Sequence, residues 1–318
     1  MKPTLKIGTR ESELAVWQAT LVQKLLDEHG FSSELIFIKS EGDINIVTPL
    51  YELGVQGIFT KTLDAALLNK KIDIAVHSMK DVPTQLAKGI KQAAVLKRAS
   101  YKDVFVFKDI SIVDSWQLAV DSITSSLGGE GIIATSSIRR KAQWLHRYPN
   151  HSFENLRGNI NTRLKKVTQS NWSGAIFAAA GLERINLRPE NSIDLNWMLP
   201  APAQGAIMIL CREDDAVPFE ACAKFNDADN ALCTKLERDF LRTLLGGCST
   251  PISALAEIKK DTIFFKGNIC SPDGKEKIEI EKTGLIKDSD LLGITAANEI
   301  LKDIKAQNII HSIRNEKN

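Results

Sequence analysis

Short apolar runs alternate with amphipathic stretches at the start of the chain. Leu5 to Gly8, Leu35 to Ile38 and Ile72 to Val76 are runs typical of strands buried inside an α/β sheet. Residues 12–29, with Ser12 as candidate N-cap, and residues 61–69 carry apolar side chains at helical spacing. The order strand, helix, strand, helix, strand predicts one doubly wound lobe.

A second lobe is predicted from the same alternation further along the chain. Ile132 to Ala134 and Ala175 to Ala179 read as strands, a helix begins at Ile138, and Gly181 to Arg184 reads as a loop. The apolar run Ala206 to Cys211 then has its simplest role as a return to the first sheet. Two lobes joined by two crossings predict a hinged cleft, as in periplasmic-type binding proteins.

The order of predicted helices and strands changes near residue 223. A helix over 231–245, three strands near 252–258, 263–269 and 277–281, and a final helix over 291–306 predict a smaller α+β domain. The fold class expected is therefore α/β, with two doubly wound, periplasmic-binding-protein-like lobes, two crossings and a C-terminal α+β domain. The predicted domains are residues 1–99 with 206–222, residues 103–199, and residues 223–318.

Charge and composition exclude several classes of protein. The net charge of the 318 residues is only +2, so no strong field attracts nucleic acid or an anionic membrane. No stretch reaches the roughly 18 apolar residues of a membrane span, and the N-terminus lacks a signal peptide's apolar region, so the cytoplasm is the expected location. The five cysteines form no C-x-x-C pair, which argues against zinc and against disulfides.

Lys80 and Asp81 follow the apolar run that ends at Val76, and Pro83 stops the strand from continuing. Open α/β sheets bind ligands at this carboxyl end of their strands. A cation beside a carboxylate can bind an acidic ligand and handle a proton, which makes Asp81 the best acid/base candidate. The alternative is a solvated turn with an incidental ion pair.

Six arginines occupy predicted loops or helix starts on the ligand side of the two lobes. Each alone could be a surface charge, but together they suggest a ligand with several carboxylates, which arginine binds through two parallel hydrogen bonds. Phosphate is disfavoured because no G-x-x-x-x-G-K-[ST] loop occurs, and no cluster has metal-ligand spacing. The six are Arg10, Arg139, Arg140, Arg157, Arg163 and Arg184.

Cys248 differs from the other cysteines because it follows two glycines and precedes a turn bounded by Pro251. The glycines let the backbone bend and present the thiol to a neighbouring surface. A reactive cysteine needs such an accessible place near positive charge. Whether the thiol faces the cleft stays open at this point.

Seven motifs occur in order along nearly the whole chain. They are Thr9-Arg10-Glu11-Ser12 with Trp17-Gln18, His77 to Pro83, Thr135-Ser136-Ser137-Ile138-Arg139-Arg140, Leu156-Arg157-Gly158-Asn159 with Thr162-Arg163, Ala180-Gly181-Leu182, Gln204-Gly205-Ala206 and Gly246-Gly247-Cys248. Any one of them is weak, but the ordered set resembles the porphobilinogen deaminases, or hydroxymethylbilane synthases.

The resemblance implies a monomeric three-domain transferase that carries a dipyrromethane cofactor on Cys248 through a thioether. Such enzymes join four porphobilinogen molecules head to tail, release ammonia each time and finally hydrolyse off hydroxymethylbilane, in haem biosynthesis. The family's catalytic aspartate corresponds to Asp81. The cofactor-binding positions correspond to Cys248, Lys80, Ser78, Arg139, Arg140, Ser137, Thr135, Arg157 and Gly158. The substrate-binding positions correspond to Arg10, Ser12, Gln18, Arg157, Arg163, Arg184 and Gln204.

The sequence also departs from the pattern of that family. Glycine is usual where Ala134 and Ala203 stand, Gly-Lys is frequent in place of Val55-Gln56, and a small residue is common at Asn161. An added methyl group restricts φ and crowds a ligand, so loop geometry and turnover rate are affected. Two other functions stay open: a non-catalytic polycarboxylate-binding protein, and a transferase that uses Cys248 on another substrate.

Overall fold

The computed structural model describes residues 3–39, 60–108, 131–244 and 250–315. Its strands are β1 (Leu5–Thr9), β2 (Ser33–Phe37), β3 (Ile74–Ser78), β4 (Ile90–Val95), β5 (Asp103–Phe107), β6 (Ile132–Ala134), β7 (Ser152–Glu154), β8 (Gly174–Ala178), β9 (Ser192–Asp194), β10 (Ile207–Arg212), β11 (Ile252–Lys259), β12 (Thr262–Cys270) and β13 (Lys277–Leu285). Its α-helices are α1 (Glu13–Glu28), α2 (Lys61–Leu68), α3 (Ile138–Arg147), α4 (Ile160–Gln169), α5 (Ala179–Arg184), α6 (Ala216–Ala223), α7 (Ala228–Thr243), α8 (Leu292–Ile300) and α9 (Ile304–Asn315).

The sheet of the first lobe has the strand order β2-β1-β3-β10-β4. Strand β1 is parallel to both β2 and β3, whereas β10 is antiparallel to both of its neighbours. Alternate β3 residues enter two different apolar clusters, Ile74 and Val76 on one side and Ala75 on the other. Because β3 is buried on both faces, its first three residues, Ile74 to Val76, are a continuous apolar run, and its carboxyl end leads into the turn Met79–Asp81.

The second lobe contains a separate sheet with the order β7-β6-β8-β5-β9. The chain passes from β4 in the first sheet to β5 in the second, and it returns from β9 to β10. Two crossings therefore join the lobes, as the sequence predicts, and the run Ala206 to Cys211 does return to the first sheet. The exact domain boundaries stay a prediction.

One buried carboxylate ties both crossings to the C-terminal domain. Glu237 in α7 is fully buried and accepts from Arg98 of the first crossing at 2.6 Å. It also accepts from the amide of Ala203 in the second crossing at 2.6 Å and from the amide of Ala256 in β11 at 2.8 Å. Ala203 has a φ of 61°, in the left-handed region where glycine is favoured, so this departure from the family pattern carries backbone strain.

The third sheet is the antiparallel meander β11-β12-β13, with α7 and α8 among the helices packed on it. Phe240 of α7 and Phe265 of β12 lie 5.3 Å apart between ring centroids in its core. This smaller C-terminal sheet domain completes the predicted fold class. Among the helices in the described ranges, none is long and apolar enough to cross a membrane.

Two sequence-based expectations about secondary structure are wrong. Gly181 to Arg184 belongs to helix α5 and not to a loop, because Ala179, Ala180 and Leu182 are buried and anchor a short helix. The single final helix is two helices, α8 and α9, separated by a turn at residues 301–303. Residues 116–127, whose sequence is mostly compatible with a helix, and the loop with Val55 and Gln56 lie outside the described residues.

Candidate active site

The turn that follows β3 is held from two sides. Residues Met79–Asp81 form a single 3₁₀ turn in which the Met79 side chain is buried. The Met79 amide donates to the carbonyl of Ala206 at 3.0 Å. Arg238 of α7 donates to the carbonyls of Val82 at 2.8 Å and Pro83 at 2.6 Å. Lys80 and Asp81 are thus half-buried side chains on a fixed backbone.

A buried carboxylate in the second lobe holds the arginine pair at the start of α3. Asp103, the first residue of β5, is fully buried. Its Oδ1 accepts from Arg140 Nε at 2.9 Å, and its Oδ2 lies 2.8 Å from Arg139 Nη2. Burial alone would raise the pKa of Asp103, but the two arginines outweigh burial and lower it to about 2. Asp103 is therefore ionised throughout the neutral range.

The side chain of Gln204 connects the two lobes. Lys80 Nζ donates to Gln204 Oε1 at 3.2 Å. Gln204 Nε2 donates to Asp103 Oδ1 at 3.0 Å and to the carbonyl of Tyr101 at 2.8 Å. The amide therefore bridges the cation beside Asp81 to the carboxylate that holds the arginine pair. Gln204 is buried and spans the crossings, a position that its place in the sequence alone does not indicate.

Positive charge exceeds negative charge at this site. Burial, and then the neighbouring Arg140, lowers the pKa of Lys80 from 10.5 to about 8. Burial also lowers the pKa of Arg163 to about 10, with Arg140 and Arg157 adding to the effect. The interacting cations are Arg10, Lys80, Arg139, Arg140, Arg157 and Arg163.

Only two carboxylates appear among the charges that act on Lys80 and Arg163. Asp103 is already paired with Arg139 and Arg140, and Asp81 makes no hydrogen bond to a described residue. Positive charges held close together in a half-buried site repel one another unless an anionic group binds between them. The site is thus suited to a ligand with several carboxylates.

Four of the predicted neutral donor residues form two hydrogen-bonded pairs. Gln18, buried in α1, donates from Nε2 to Ser78 Oγ at 2.9 Å. In the second lobe, the Ser137 amide donates to Thr135 Oγ1 at 3.2 Å. Ser12 occupies the N-cap position of α1 without a capping hydrogen bond from its side chain. These groups border the cation cluster from both lobes.

Gly158 and Arg184 have contacts of a different kind. The carbonyl of Gly158, a residue with a φ of 108°, accepts from Arg163 Nε at 2.7 Å. Arg184 Nη2 donates to the carbonyl of Gly205 at 2.7 Å, and its guanidinium lies 5.7 Å from the ring centroid of Trp17. Gly158 therefore orients a site arginine, whereas Arg184 joins the second lobe to α1 and to the second crossing.

His77 and Asn161 are placed outside the chemistry. Burial, followed by the charge of Arg10, lowers the pKa of His77 to about 4, so its ring is neutral at pH 7. His77 is therefore a packed residue of β3. Asn161 Nδ2 donates to Glu13 Oε2 at 2.9 Å, so the departure at this position adds a contact between the lobes.

Sequence reasoning missed Asp103 and Arg238. Asp103 is a lone charge at the start of the wholly buried strand Asp103–Phe107, and a charge in that position indicates a buried partner. Arg238 lies beside Glu237 on an amphipathic helix, where both charges are buried. Nothing in local periodicity says which residues they pair with.

Cys248 lies outside the described residues. The segments on either side of it do contact the site: α7 contributes Arg238 to the turn, and Ser253 of β11 accepts from Gln143 of α3 at 3.0 Å. In the parts of the chain that are described, no group of three or more His, Cys, Asp or Glu side chains could hold a metal ion. The described cations are the groups that could hold an anionic cofactor.

Comparison with known proteins places this arrangement in a family. Residues 5–219 match the model "Porphobilinogen deaminase, dipyromethane cofactor binding domain", and residues 231–302 match "Porphobilinogen deaminase, C-terminal domain". The porphobilinogen deaminase of Acidithiobacillus ferrooxidans is 37% identical, over 99% of this chain and 100% of its own length. That of Chlorobium phaeobacteroides is also 37% identical, over 99% of each chain.

Two solved structures of binding domains are similar at a coarser level. The VFT2 domain of BvgS from Bordetella pertussis has a TM-score of 0.43 at 13% identity, covering 70% of this chain and 86% of that one. The methionine binding protein MetQ has a TM-score of 0.43 at 14% identity, covering 71% and 91%.

The chain belongs to the porphobilinogen deaminase family. It is accordingly a transferase of tetrapyrrole biosynthesis, a hydroxymethylbilane synthase that acts on porphobilinogen and uses a dipyrromethane cofactor. The resemblance drawn from the seven motifs is confirmed over the full length of the chain.

The pair formed by Gln18 and Ser78 allows a test of which neutral donors are structural. In Ser78→Ala, the buried Gln18 amide loses its acceptor, so the free energy of unfolding should fall by about 1–3 kcal/mol. In Ser78→Ala/Gln18→Met the loss should be smaller than the sum of the two single losses. Urea unfolding measures both, with Ser12→Ala as the control because its side chain makes no capping bond. Additive losses would contradict the pairing.

Proposed function

We propose that Asp81 is the catalytic acid of this transferase and that the surrounding cations bind the carboxylates of the cofactor and the substrate. The observation that carries the proposal is the excess of positive charge around a carboxylate that has no hydrogen bond to a described residue. A non-catalytic binding protein would need the cations but would not need the Asp81 carboxylate among them.

The donor set fits a dipyrromethane, whose acetate and propionate groups are anionic. Arg139 Nε is buried and makes no hydrogen bond with a described residue, so its N–H is a donor suited to a bound carboxylate. Lys80, Arg139, Arg140 and Arg157 would hold the cofactor carboxylates, with Ser78, Thr135, Ser137 and Gly158 nearby. Arg10, Arg163, Arg184, Ser12, Gln18 and Gln204 would line the path of the substrate. When bound, the cofactor supplies the pyrrole to which the first substrate is joined.

Asp81 acts on the charge that develops as ammonia leaves porphobilinogen. Its carboxylate is half-buried, where the dielectric is lower than in water and an electrostatic interaction is stronger. A positive charge on the substrate pyrrole is stabilised by this carboxylate. The same group can transfer the proton that the leaving amine needs or that the pyrrole carbon loses.

Cys248 is the proposed attachment point of the cofactor. The four described cysteines are buried, and burial raises the pKa of Cys211 to about 11 and those of Cys222, Cys233 and Cys270 to about 12. Such thiols hold their protons at neutral pH and are poor nucleophiles. This supports Cys248, whose flanking segments reach the Asp81 turn and the helix with the arginine pair.

We also propose that the enzyme works as a monomer in the cytoplasm, without nucleic-acid or membrane partners. The low net charge supports the absence of an electrostatic partner of either kind. The reaction itself needs only porphobilinogen and water in addition to the tethered cofactor.

Asp81→Asn tests the catalytic role. The substitution keeps the shape and removes the charge, so kcat should fall by about 10²–10³-fold while the protein stays folded. Steady-state ammonia release measures kcat. Asp73→Asn is the matched control: Asp73 lies at the opposite end of β3 and pairs with Arg212 at 2.9 Å, so its loss should change stability and leave kcat unchanged. Normal turnover in Asp81→Asn would refute the assignment.

Intact-mass measurement tests the attachment of the cofactor. Protein from cells that make porphobilinogen should exceed its sequence mass by one dipyrromethane, and Cys248→Ser should have the sequence mass alone. Cys233→Ala, a buried thiol with a pKa of about 12, should keep the added mass. Added mass on Cys248→Ser would mean that another group carries the cofactor.

A further inference from the structure

We propose that Asp103 is a positioning residue for the reaction: it fixes the guanidinium groups of Arg139 and Arg140 and, through Gln204, the ammonium group of Lys80. The inference rests on the function proposed above and names the group that orients its binding cations. Asp103 itself binds neither cofactor nor substrate, for the geometric reasons that follow.

The Asp103 carboxylate is fully buried, and each of its oxygens lies against groups of the protein. Oδ1 accepts from Arg140 Nε at 2.9 Å and from Gln204 Nε2 at 3.0 Å, and it lies 2.8 Å from Arg140 Nη2. Oδ2 lies 2.8 Å from Arg139 Nη2. Because the side chain has no exposed surface, no face of the carboxylate is open to a ligand. Asp103 can therefore influence the reaction only through the groups it holds.

The geometry of Asp103 decides which N–H groups of the arginine pair remain for a ligand. Arg140 uses Nε and Nη2 on Asp103 and Nη1 on the carbonyl of Ile176 at 2.9 Å. Arg139 uses Nη2 on Asp103 and Nη1 on the carbonyl of Leu199 at 2.7 Å. A guanidinium is a planar fork, so fixing two of its nitrogens fixes the other N–H directions. The buried Arg139 Nε–H is thus held in one orientation without a described acceptor.

Asp103 also determines which way the Gln204 amide points. Because Asp103 Oδ1 and the Tyr101 carbonyl are both acceptors, they select the NH₂ end of the amide. The Oε1 end is then left to accept from Lys80 Nζ. If Asp103 became neutral, this selection would weaken and Lys80 would lose a fixed partner. One carboxylate in the second lobe thereby orients a cation in the first.

Asp103→Asn is the decisive variant because it keeps the shape and the acceptor oxygen for Gln204. Loss of the fixed arginine geometry should lower kcat/KM for porphobilinogen by about 100-fold, mostly through a higher KM. Rates are normalised to the fraction of protein that carries the cofactor, measured by intact mass, and that fraction should itself fall below the wild-type value.

Asp194→Asn is the matched control. Asp194 also pairs with two cations of the same lobe, Lys102 at 2.9 Å and Arg188 at 2.7 Å, but it is not one of the charges acting on Lys80. Its substitution should leave KM, kcat and the cofactor-bearing fraction unchanged. A value of kcat/KM for Asp103→Asn equal to that of Asp194→Asn would overturn the proposal.

The pH dependence of kcat/KM distinguishes a positioning role of Asp103 from a merely structural role. The charges that act on Lys80 are Arg140 and Arg139, which lower its pKa, and Asp81 and Asp103, which raise it. Removal of the Asp103 charge therefore lowers the pKa of Lys80. The alkaline limb of kcat/KM should move to lower pH in Asp103→Asn and stay in place in Asp194→Asn. An unmoved limb in Asp103→Asn would contradict the link through Gln204.

A second variant covers the case in which Asp103→Asn does not fold. The double variant Asp103→Asn/Arg140→Gln removes one buried positive charge together with the buried negative charge. The net buried charge therefore stays the same as in the wild-type protein. Its KM should exceed that of Arg140→Gln alone, because Arg139 and Lys80 still lose their orientation. Equal KM values would refute the inference. A failure of the proposed function can be distinguished from a failure of this inference. It would appear as normal turnover in Asp81→Asn or as cofactor attached to Cys248→Ser.

Discussion

The constraint on which the rest of the structure depends is the crowding of like charge between the two lobes. Six cations interact there, and the only carboxylates among the charges that act on Lys80 and Arg163 are Asp81 and Asp103. Buried charge is costly unless it is paired and hydrogen-bonded, and the described residues alone leave an excess of positive charge at this site. A ligand that brings several carboxylates would balance this charge, which is why we propose that the cofactor and the substrate share this site.

The fold holds these charges by connecting every segment that carries them. The Asp81 turn is anchored by Arg238 of the C-terminal domain, and the helix with the arginine pair is anchored by Asp103 and by Gln143, which contacts β11. Glu237 fastens both crossings to the same domain. The C-terminal domain therefore does more than carry Cys248: it touches the element behind each half of the site.

Much of the candidate site could be predicted because the apolar run Ile72 to Val76 is followed closely by Lys80, Asp81 and the strand-ending Pro83. That pattern places Lys80 and Asp81 at a ligand-binding edge, and the same reasoning places Arg10 and Arg139 at neighbouring edges. The partner of the arginine pair could not be predicted. Asp103 is 36 residues before Arg139 in the chain, and only the packing of β5 between β8 and β9 brings it under α3.

Local sequence signals failed where tertiary contacts override them. Gly181 is typical of a loop, yet its neighbours are buried and make it part of a helix. Ala203 adopts a φ of 61° although alanine disfavours it, because the Glu237 carboxylate holds its amide. Gln204 is one residue of a proline-rich crossing, and only the structure shows it lying between Lys80 and Asp103.

The central claim is that bound carboxylates neutralise a site that the protein leaves positive. The most direct measurement is the pKa of the Lys80 ammonium by NMR of lysine-labelled protein, with Lys80→Arg to assign the signal. In the cofactor-free Cys248→Ser variant the pKa should be about 8, and in the wild-type protein with its cofactor it should be higher by more than about one unit. A pKa near 10.5 in the variant, or equal values in both proteins, would contradict the account.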